Sequence, residues 1–173
     1  FRPALPHCFI MRTPHEHSTP PEAHEAAKVP LEILEVGMEQ LDAIRRLNVA
    51  IFEDAHIIET FERDDLLMLL ARSGGTDVGF KLGYRLNEAA FYSAKGGVHP
   101  AHRRNGIARA LLYDMLDVVA GRGYERFVYD TFPNKHPGMT VLGLDEGFEV
   151  IRAGYSAKYQ DYRLRFAWTF DAA

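Results

Sequence analysis

The sequence predicts an α+β fold with a mixed, mostly antiparallel central sheet of about seven strands flanked by helices. Two observations lead to this fold class. Segments in which apolar residues alternate with a period of two are interspersed with segments of helical period. Three strand-like segments in the middle of the chain follow one another without a helix, and so do the last two, which favours antiparallel pairing.

The first half of the chain supplies four predicted strands and one long helix. Residues 31–36 read LEILEV, where apolar and acidic residues alternate as in a half-buried strand. Apolar residues at helical spacing follow, at Leu41, Ile44, Leu47 and Ile51. A polar stretch over 53–65 is predicted to form a loop and a short helix. Strands are then predicted over 66–71, 78–86 and 90–98, the first two joined by a turn over 73–76.

The second half begins with the clearest helix, predicted over 104–120. Its apolar face contains Ile107, Leu111, Met115 and Val118, and Gly121 and Gly123 end it. A fifth strand follows over 126–132 and a shorter helix over 135–146. Two strands, over 148–159 and 162–170, complete the domain.

Composition divides the chain into a tail and one domain. Residues 1–29 hold five prolines and four histidines with no sustained period, which predicts an N-terminal tail before a single domain over 30–173. His15 and His17 in this tail are too isolated to predict a metal site.

Charge and composition also exclude several classes of function. The formal net charge is −4, which argues against nucleic acid as a partner, and no apolar run has the roughly 20 residues of a membrane span. The single cysteine, Cys8, excludes an internal disulfide and suits a reducing compartment, so a cytoplasmic protein is expected.

The segment that carries chemistry reads GGVHPAHRRNGIARALL, residues 96–112. A strand ends at Val98 and a turn containing Pro100 leads into the long helix, whose first N–H groups and partial positive charge can hold a phosphate. Gly106 has no side chain to block an anion, and two arginines add charge. The sequence therefore predicts a pyrophosphate cradle formed by Arg103, Arg104, Asn105, Gly106, Ile107 and Ala108.

Two familiar phosphate-binding patterns do not fit this segment. A P-loop requires Gly-Lys-Ser/Thr, which the segment lacks. A dinucleotide-binding fold requires G-x-G-x-x-G in a parallel sheet, and the glycine spacing here differs.

Residues 98–108, VHPAHRRNGIA, resemble the acyl-CoA-binding motif of the GNAT N-acetyltransferase superfamily, Q/R-x-x-G-x-G/A after the fourth strand. Arg103, Gly106 and Ala108 occupy its three defining positions. Asn134 and the later Gly147-Phe148 pair match the family's N…GF segment, and the order of elements is similar over about four fifths of the chain.

The resemblance implies acetyl-CoA as cosubstrate and assigns it a binding mode. In such proteins strands four and five separate near a bulge, here expected at Gly96-Gly97, and pantetheine lies between them. The backbone of Val98 would bind pantetheine and polarise the thioester carbonyl. The Arg103 side chain and the amides of 104–108 would hold the pyrophosphate, and Asn134 and Thr131 would contact the pantetheine arm.

The implied reaction is direct attack of an amine on the thioester, which needs a proton acceptor and a proton donor. Tyr92, on the fourth strand, is a candidate base, and Glu53 is a second one. The tyrosine that commonly protonates the leaving thiolate is replaced by Gly143, so the donor is missing or comes from elsewhere.

The acceptor is predicted to be a primary amine on a small molecule or peptide. Acidic residues of the 53–65 loop line either a solvated face or an entrance that attracts an ammonium group: Glu53, Asp54, Glu59, Glu62, Asp64 and Asp65. The missing tyrosine leaves open a non-catalytic acyl-CoA sensor, and a protein amino terminus or lysine is a third acceptor class. The oligomeric state stays open, although similar proteins commonly form homodimers.

Overall fold

The computed structural model describes residues 30–171. The predicted tail over 1–29, with Cys8, His15 and His17, lies outside the described residues. No helix of the described part is long and apolar enough to cross a lipid bilayer.

Within residues 30–171, seven strands and three α-helices follow one another in the predicted order, apart from the short helix expected over 53–65. The strands are β1 (Leu31–Val36), β2 (Leu67–Ser73), β3 (Thr76–Arg85), β4 (Ala90–Val98), β5 (Arg126–Thr131), β6 (Glu149–Ser156) and β7 (Asp161–Thr169). The helices are α1 (Leu41–Phe52), α2 (Ile107–Gly121) and α3 (Pro137–Asp145).

The strands form one sheet in the order β1-β2-β3-β4-β5-β7-β6. Every neighbouring pair is antiparallel except β4 and β5, which are parallel. The predicted fold class is therefore confirmed.

Two local predictions differ from the structure. The stretch over 53–66 contains no helix. Helix α2 begins at Ile107 rather than near Arg104, because Arg104 and Gly106 both adopt left-handed backbone angles, with φ of 65° and 77°. Such angles cannot continue a right-handed helix.

Each face of the sheet carries its own apolar cluster. Helix α1 covers β2, β3 and β4 on one face, where Ile44 packs with Leu70 and Phe80. The other face buries α2 against residues such as Leu69, Phe91 and Phe127. Because successive strand residues point to opposite faces, the face that a side chain occupies follows from its position in the strand.

Strands β4 and β5 separate after a short paired stretch. They pair only from Ala90↔Arg126 to Ser93↔Tyr129, although β4 continues to Val98 and β5 to Thr131. The bulge lies one step beyond the last pair: Leu82 of β3 faces Lys95 and Gly83 faces Ser93, which leaves Ala94 as the extra residue.

The expected bulge at Gly96-Gly97 is therefore wrong by two residues. These glycines serve close packing instead. A Cβ on Gly97 would lie 2.8 Å from Cγ2 of Ile51 in α1, and a Cβ on Gly96 would lie 2.8 Å from the Phe80 carbonyl oxygen. Their small size lets α1 and β3 approach the open end of β4.

Gly143 is the buried residue of α3, and the side chain of Tyr129 in β5 is the reason that a glycine is needed there. A Cβ at position 143 would overlap the Tyr129 hydroxyl, which donates to the Met139 carbonyl at 3.2 Å. The Tyr129 ring stacks on Phe166 with centroids 5.1 Å apart, so it has little freedom to move aside.

We expect Gly143→Ala to lower the free energy of unfolding by about 1–3 kcal/mol, because the added methyl group has no space. Gly138→Ala, in the same helix, is the matched control, since its Cβ would meet nothing within 4 Å. The control should be neutral or stabilising by up to about 1 kcal/mol. Urea denaturation measures both, and removing the hydroxyl with Tyr129→Phe should partly relieve Gly143→Ala. Equal effects at 143 and 138 would contradict this packing.

Candidate active site

The open end of β4 presents unpaired backbone groups to the gap beside β5. The His99 N–H donates to the Val78 carbonyl at 2.8 Å, so the next pair along the antiparallel ladder, Gly79↔Val98, is not hydrogen-bonded. The N–H and carbonyl of Val98 therefore point away from β3, into the gap.

The backbone N–H and carbonyl of Gly96 also point into the gap. It lies two residues before Val98, opposite Lys81, and the period of two gives its backbone the same orientation. Sequence analysis assigned Gly96 to a bulge and predicted no binding role for it, although the two-residue spacing from Val98 was the available signal. Two backbone positions thus face the gap on one strand.

The start of α2 forms one wall of this gap. The first helical N–H with a partner belongs to Ala110, which donates to the Gly106 carbonyl at 3.0 Å. The N–H groups of Ile107, Ala108 and Arg109 precede it and have no intrahelical acceptor. The first turn carries no acidic residue. This helix end can therefore accept an anion.

Arginine and asparagine side chains fix the turn before the helix. Arg103 Nε donates to the Val98 carbonyl at 3.1 Å, which ties the turn to the end of β4. Asn105 Nδ2 donates to the His102 carbonyl at 3.2 Å. The buried Ile107 side chain anchors the helix start in the core. The two terminal nitrogens of Arg103 are not used by its bond to Val98.

The opposite wall follows β5. Thr131 is buried at the end of that strand. Asn134 donates from Nδ2 to Asp161 Oδ1 at 2.7 Å, and this hydrogen bond holds the pKa of the Asp161 carboxyl below its usual value. Asn134 is thus oriented by the first residue of β7.

Tyr92 has the wrong electrostatics for a base. Its hydroxyl donates to Asp130 Oδ2 at 3.2 Å, and burial together with the Asp130 charge raises the pKa of Tyr92 above its ordinary value. Asp130 is itself held by Arg165, with distances of 2.7 Å to Nε and 2.8 Å to Nη2. Tyr92 therefore stays a neutral phenol, and its predicted role lacks support from this geometry.

The acidic loop is less negative than its composition indicates. Glu53 is exposed and caps the end of α1 with φ of 55°. Three of the other acids have basic partners: Asp54 lies 3.8 Å from Lys95, Glu59 lies 3.5 Å from Lys158, and Asp65 lies 2.9 Å from Arg85. The Glu59–Lys158 pair also links this loop to the turn between β6 and β7.

His136, the residue before α3, lies beside the gap and was not among the predicted site residues. Its ring packs edge-on against Phe52 at the end of α1, with centroids 5.9 Å apart, and so spans from α3 to α1. Desolvation and the charges of Lys135, Lys95 and Arg103 lower the pKa of His136, against the opposing effect of Asp161. A neutral imidazole is favoured here.

Three arginines form a further cluster on the same face of the sheet as α1, over strands that α1 does not cover. Arg152 of β6 lies opposite Arg165 of β7, and Arg163 lies two residues along β7 on the same face. They line a cavity of about 110 Å³ together with Gly154. We call Arg152, Arg163 and Arg165 the arginine cluster; sequence analysis did not single it out.

The comparisons with known proteins agree with this geometry. The sequence model described as the Acetyltransferase (GNAT) family matches residues 36–139, more than half of the chain. No protein of curated function matches the sequence significantly.

Solved structures of the family share the fold at low sequence identity. The ribosomal-protein-S18-alanine N-acetyltransferase of Escherichia coli superposes with a TM-score of 0.71 at 15% identity, over 83% of this chain and 96% of that one. Arabidopsis thaliana Naa50, in complex with a bisubstrate analogue, gives 0.68 at 18% identity, over 81% and 99%. The putative acetyltransferase yncA of Salmonella typhimurium, solved with its cofactor acetyl-CoA, gives 0.64 at 18% identity, over 83% and 95%.

The open pair of parallel strands, the free helix N-terminus beside it and the matching family model lead to one conclusion. This chain belongs to the GNAT acetyltransferase family, whose cosubstrate is acetyl-CoA.

Proposed function

We propose that the protein transfers an acetyl group from acetyl-CoA to a primary amine of a small molecule or peptide, by direct attack in a ternary complex. The observation that carries this proposal is the separation of β4 from β5 directly beside the unpaired N–H groups of α2. A cytoplasmic location is part of the same proposal.

The cradle residues then divide into charge and backbone. Arg103 supplies positive charge from its free terminal nitrogens, and the amides over 104–108 supply donors for the pyrophosphate. The backbone of Val98 and Gly96 binds the pantetheine arm as a neighbouring strand would, while Asn134 and Thr131 line its other side.

Acetyl-CoA supplies an acetyl group activated as a thioester. The N–H groups of Gly96 and Val98 polarise the carbonyl, because backbone donors fixed in a sheet need no reorganisation as negative charge develops. The ammonium group of the acceptor must lose a proton before its nitrogen can attack, and His136 accepts that proton in preference to Tyr92 or Glu53. Its neutral form, favoured by the cations around it, supports this role.

The arginine cluster supports an acceptor that carries an anionic group. Asp130 lies near two of the three arginines and pairs closely only with Arg165, since Arg163 lies 3.8 Å away. Arg152 forms no ion pair within residues 30–171. Like charges directly opposite in a sheet are destabilising, so Arg152 and Arg165 favour a bound carboxylate or phosphate between them.

The position of the cluster sets the length of such an acceptor. Arg165 lies one strand beyond β5 and Arg152 lies two strands beyond it. With strands about 4.8 Å apart, the anionic group would lie roughly 5–10 Å from β5, the strand that borders the gap.

Two other functions keep specific support. A non-catalytic acyl-CoA sensor is favoured by Gly143, which removes the usual proton donor of the family. A protein amino terminus as acceptor is favoured by two structural relatives, the ribosomal-protein-S18-alanine N-acetyltransferase and Naa50 in complex with the bisubstrate analogue CoA-Ac-MVNAL.

The phosphate cradle is tested by Gly106→Glu, which places a carboxylate at the helix N-terminus. We expect the affinity for CoA to fall at least tenfold, measured by calorimetry. Gly123→Glu is the matched control: Gly106 and Gly123 have φ of 77° and 82°, open space around a Cβ, and opposite ends of α2. Left-handed strain should lower the free energy of unfolding of both variants by a similar amount, about 1–2 kcal/mol. Unchanged CoA affinity in Gly106→Glu would refute the cradle.

The transferase proposal and its acceptor are tested together by thiol release from acetyl-CoA. The acceptors are glycine, β-alanine, 4-aminobutyrate and 6-aminohexanoate, each compared with its amide. We expect the longer acids to exceed their amides at least tenfold in kcat/KM, because hydrogen bonds to a charged group contribute about 1.5–3 kcal/mol.

Arg152→Gln should raise the KM of these acids and leave the KM of acetyl-CoA unchanged. Arg126→Gln, an exposed arginine on β5 about four residues from Asp130, should change neither. Equal turnover of acids and amides would remove the anionic acceptor. CoA binding without turnover for any amine would favour the sensor.

The role of His136 predicts a pH profile. Activity should rise with pH as His136 loses its proton, and the lowered pKa places this limb below the ordinary histidine value of about 6.5. His136→Gln should abolish the limb and lower kcat while CoA affinity is retained. An unchanged profile in this variant would exclude His136 as the base.

A further inference from the structure

Lys81 is a buried lysine with no part in binding CoA or the acceptor. It lies in the middle of β3 with 7% of its surface exposed. No carboxylate within residues 30–171 forms an ion pair with it. A largely buried ammonium without a carboxylate partner costs stability, so its presence between the apolar residues Phe80 and Leu82 indicates a functional role.

The side chain of Lys81 points to the face covered by α2 and α3. Its neighbours in β3, Phe80 and Leu82, belong to the cluster under α1, so Lys81 occupies the opposite face. Its Nζ lies 6.0 Å from the centre of the Phe127 ring in β5. The side chain therefore crosses beneath β4, from β3 to β5.

Gly96 makes this crossing possible. Lys81 and Gly96 are cross-strand partners, and a Cβ on Gly96 would lie 3.1 Å from Lys81 Cγ. The lysine chain passes over the position that a side chain at 96 would take. The same glycine thus admits the Lys81 side chain and directs its own backbone into the gap.

The ammonium consequently lies beneath the point where the strands separate. Phe127 pairs with Phe91 within the short parallel stretch, and the last pair, Ser93↔Tyr129, follows two residues later. The face is also that of Gly143, where the family's usual proton donor is absent and Tyr129 donates its hydroxyl to Met139 instead.

We propose that the Lys81 ammonium is the group that stabilises and protonates the thiolate of CoA as the C–S bond breaks. This proposal rests on the proposed function for its place in the reaction. Nitrogen forms the new bond to the acetyl carbon, the C–S electron pair goes to sulfur, and Lys81 Nζ gives its proton to that sulfur. His136 takes the proton that the amine loses, and a proton returns through solvent to Lys81, so that the number of protons balances.

The acidity of Lys81 suits this transfer. Burial lowers the pKa of Lys81 to about 8, close to the value of about 8.5 for an ordinary thiol. Lys81 is therefore mostly charged at neutral pH and still able to give up its proton. A lysine in water, with a pKa of about 10.4, would be a weaker acid by about two units.

The decisive experiment titrates the thiol of CoA bound to the protein, followed by the ultraviolet absorbance of its thiolate. We expect the pKa of the bound thiol to lie at least one unit below that of free CoA, because a buried cation stabilises the thiolate. Lys81→Met, which keeps the length and apolar stem, should raise it by at least one unit. Lys95→Met is the control, since Lys95 lies on the α1 side near Asp54 and the ring of Phe52.

A second readout separates this role from a structural one. Lys81→Met removes a buried unpaired charge, so its Tm should equal or exceed that of the wild type, while kcat falls at least tenfold. A bound thiol whose pKa is the same in Lys81→Met and wild type would overturn the proposal, as would a fall in Tm with kcat retained.

The thiol titration requires no acceptor. If Lys81 lowers the pKa of the bound thiol but no amine is acetylated, the proposed role of Lys81 is supported and the proposed transferase activity is contradicted.

Discussion

The structure depends on a break in one pair of hydrogen-bonded strands. β4 and β5 are the parallel neighbours in a sheet whose other pairs are antiparallel, and they stay together for four rungs before Ala94 bulges and the strands part. Backbone groups in a sheet interior must find partners. On β4 the Arg103 side chain satisfies the Val98 carbonyl, and the remaining groups are left for a ligand that completes the sheet.

Positive charge is concentrated around this break, although the chain carries a net charge of −4. The N-terminus of α2, with Arg103 and Arg104, lies at the open end of the gap between β4 and β5. Lys81 lies on the α2 face, below the point where these strands separate, and the arginine cluster lies on the opposite face. Among the residues that the structure describes, Asp130 is the one acid paired with the arginine cluster, and no carboxylate pairs with Arg103, Arg104 or Lys81. The three locations match the diphosphate, the thiolate and the anionic acceptor that we propose, so one chemical logic connects them.

Three glycines around the site act for different physical reasons. Gly106 provides a left-handed backbone before α2. Gly96 leaves room for the Lys81 side chain, and Gly143 leaves room for the Tyr129 hydroxyl. The last two connect the absence of the usual tyrosine with the presence of a buried lysine: the face that lacks one proton donor has another, delivered from a different strand.

The sequence by itself determined the order of the strands and long helices, the fold class and the family, because these depend on local periodicity and on a contiguous motif such as R-x-x-G-x-A at 103–108. It misplaced the bulge and the start of α2, since both depend on backbone angles at single residues, Ala94 and Arg104. Only the tertiary structure decided which distant side chains meet at the gap. His136 packs on Phe52 at the end of α1, the Tyr92 hydroxyl donates to Asp130, and Lys81 crosses under β4, all through contacts between segments far apart in the chain, which no local pattern encodes.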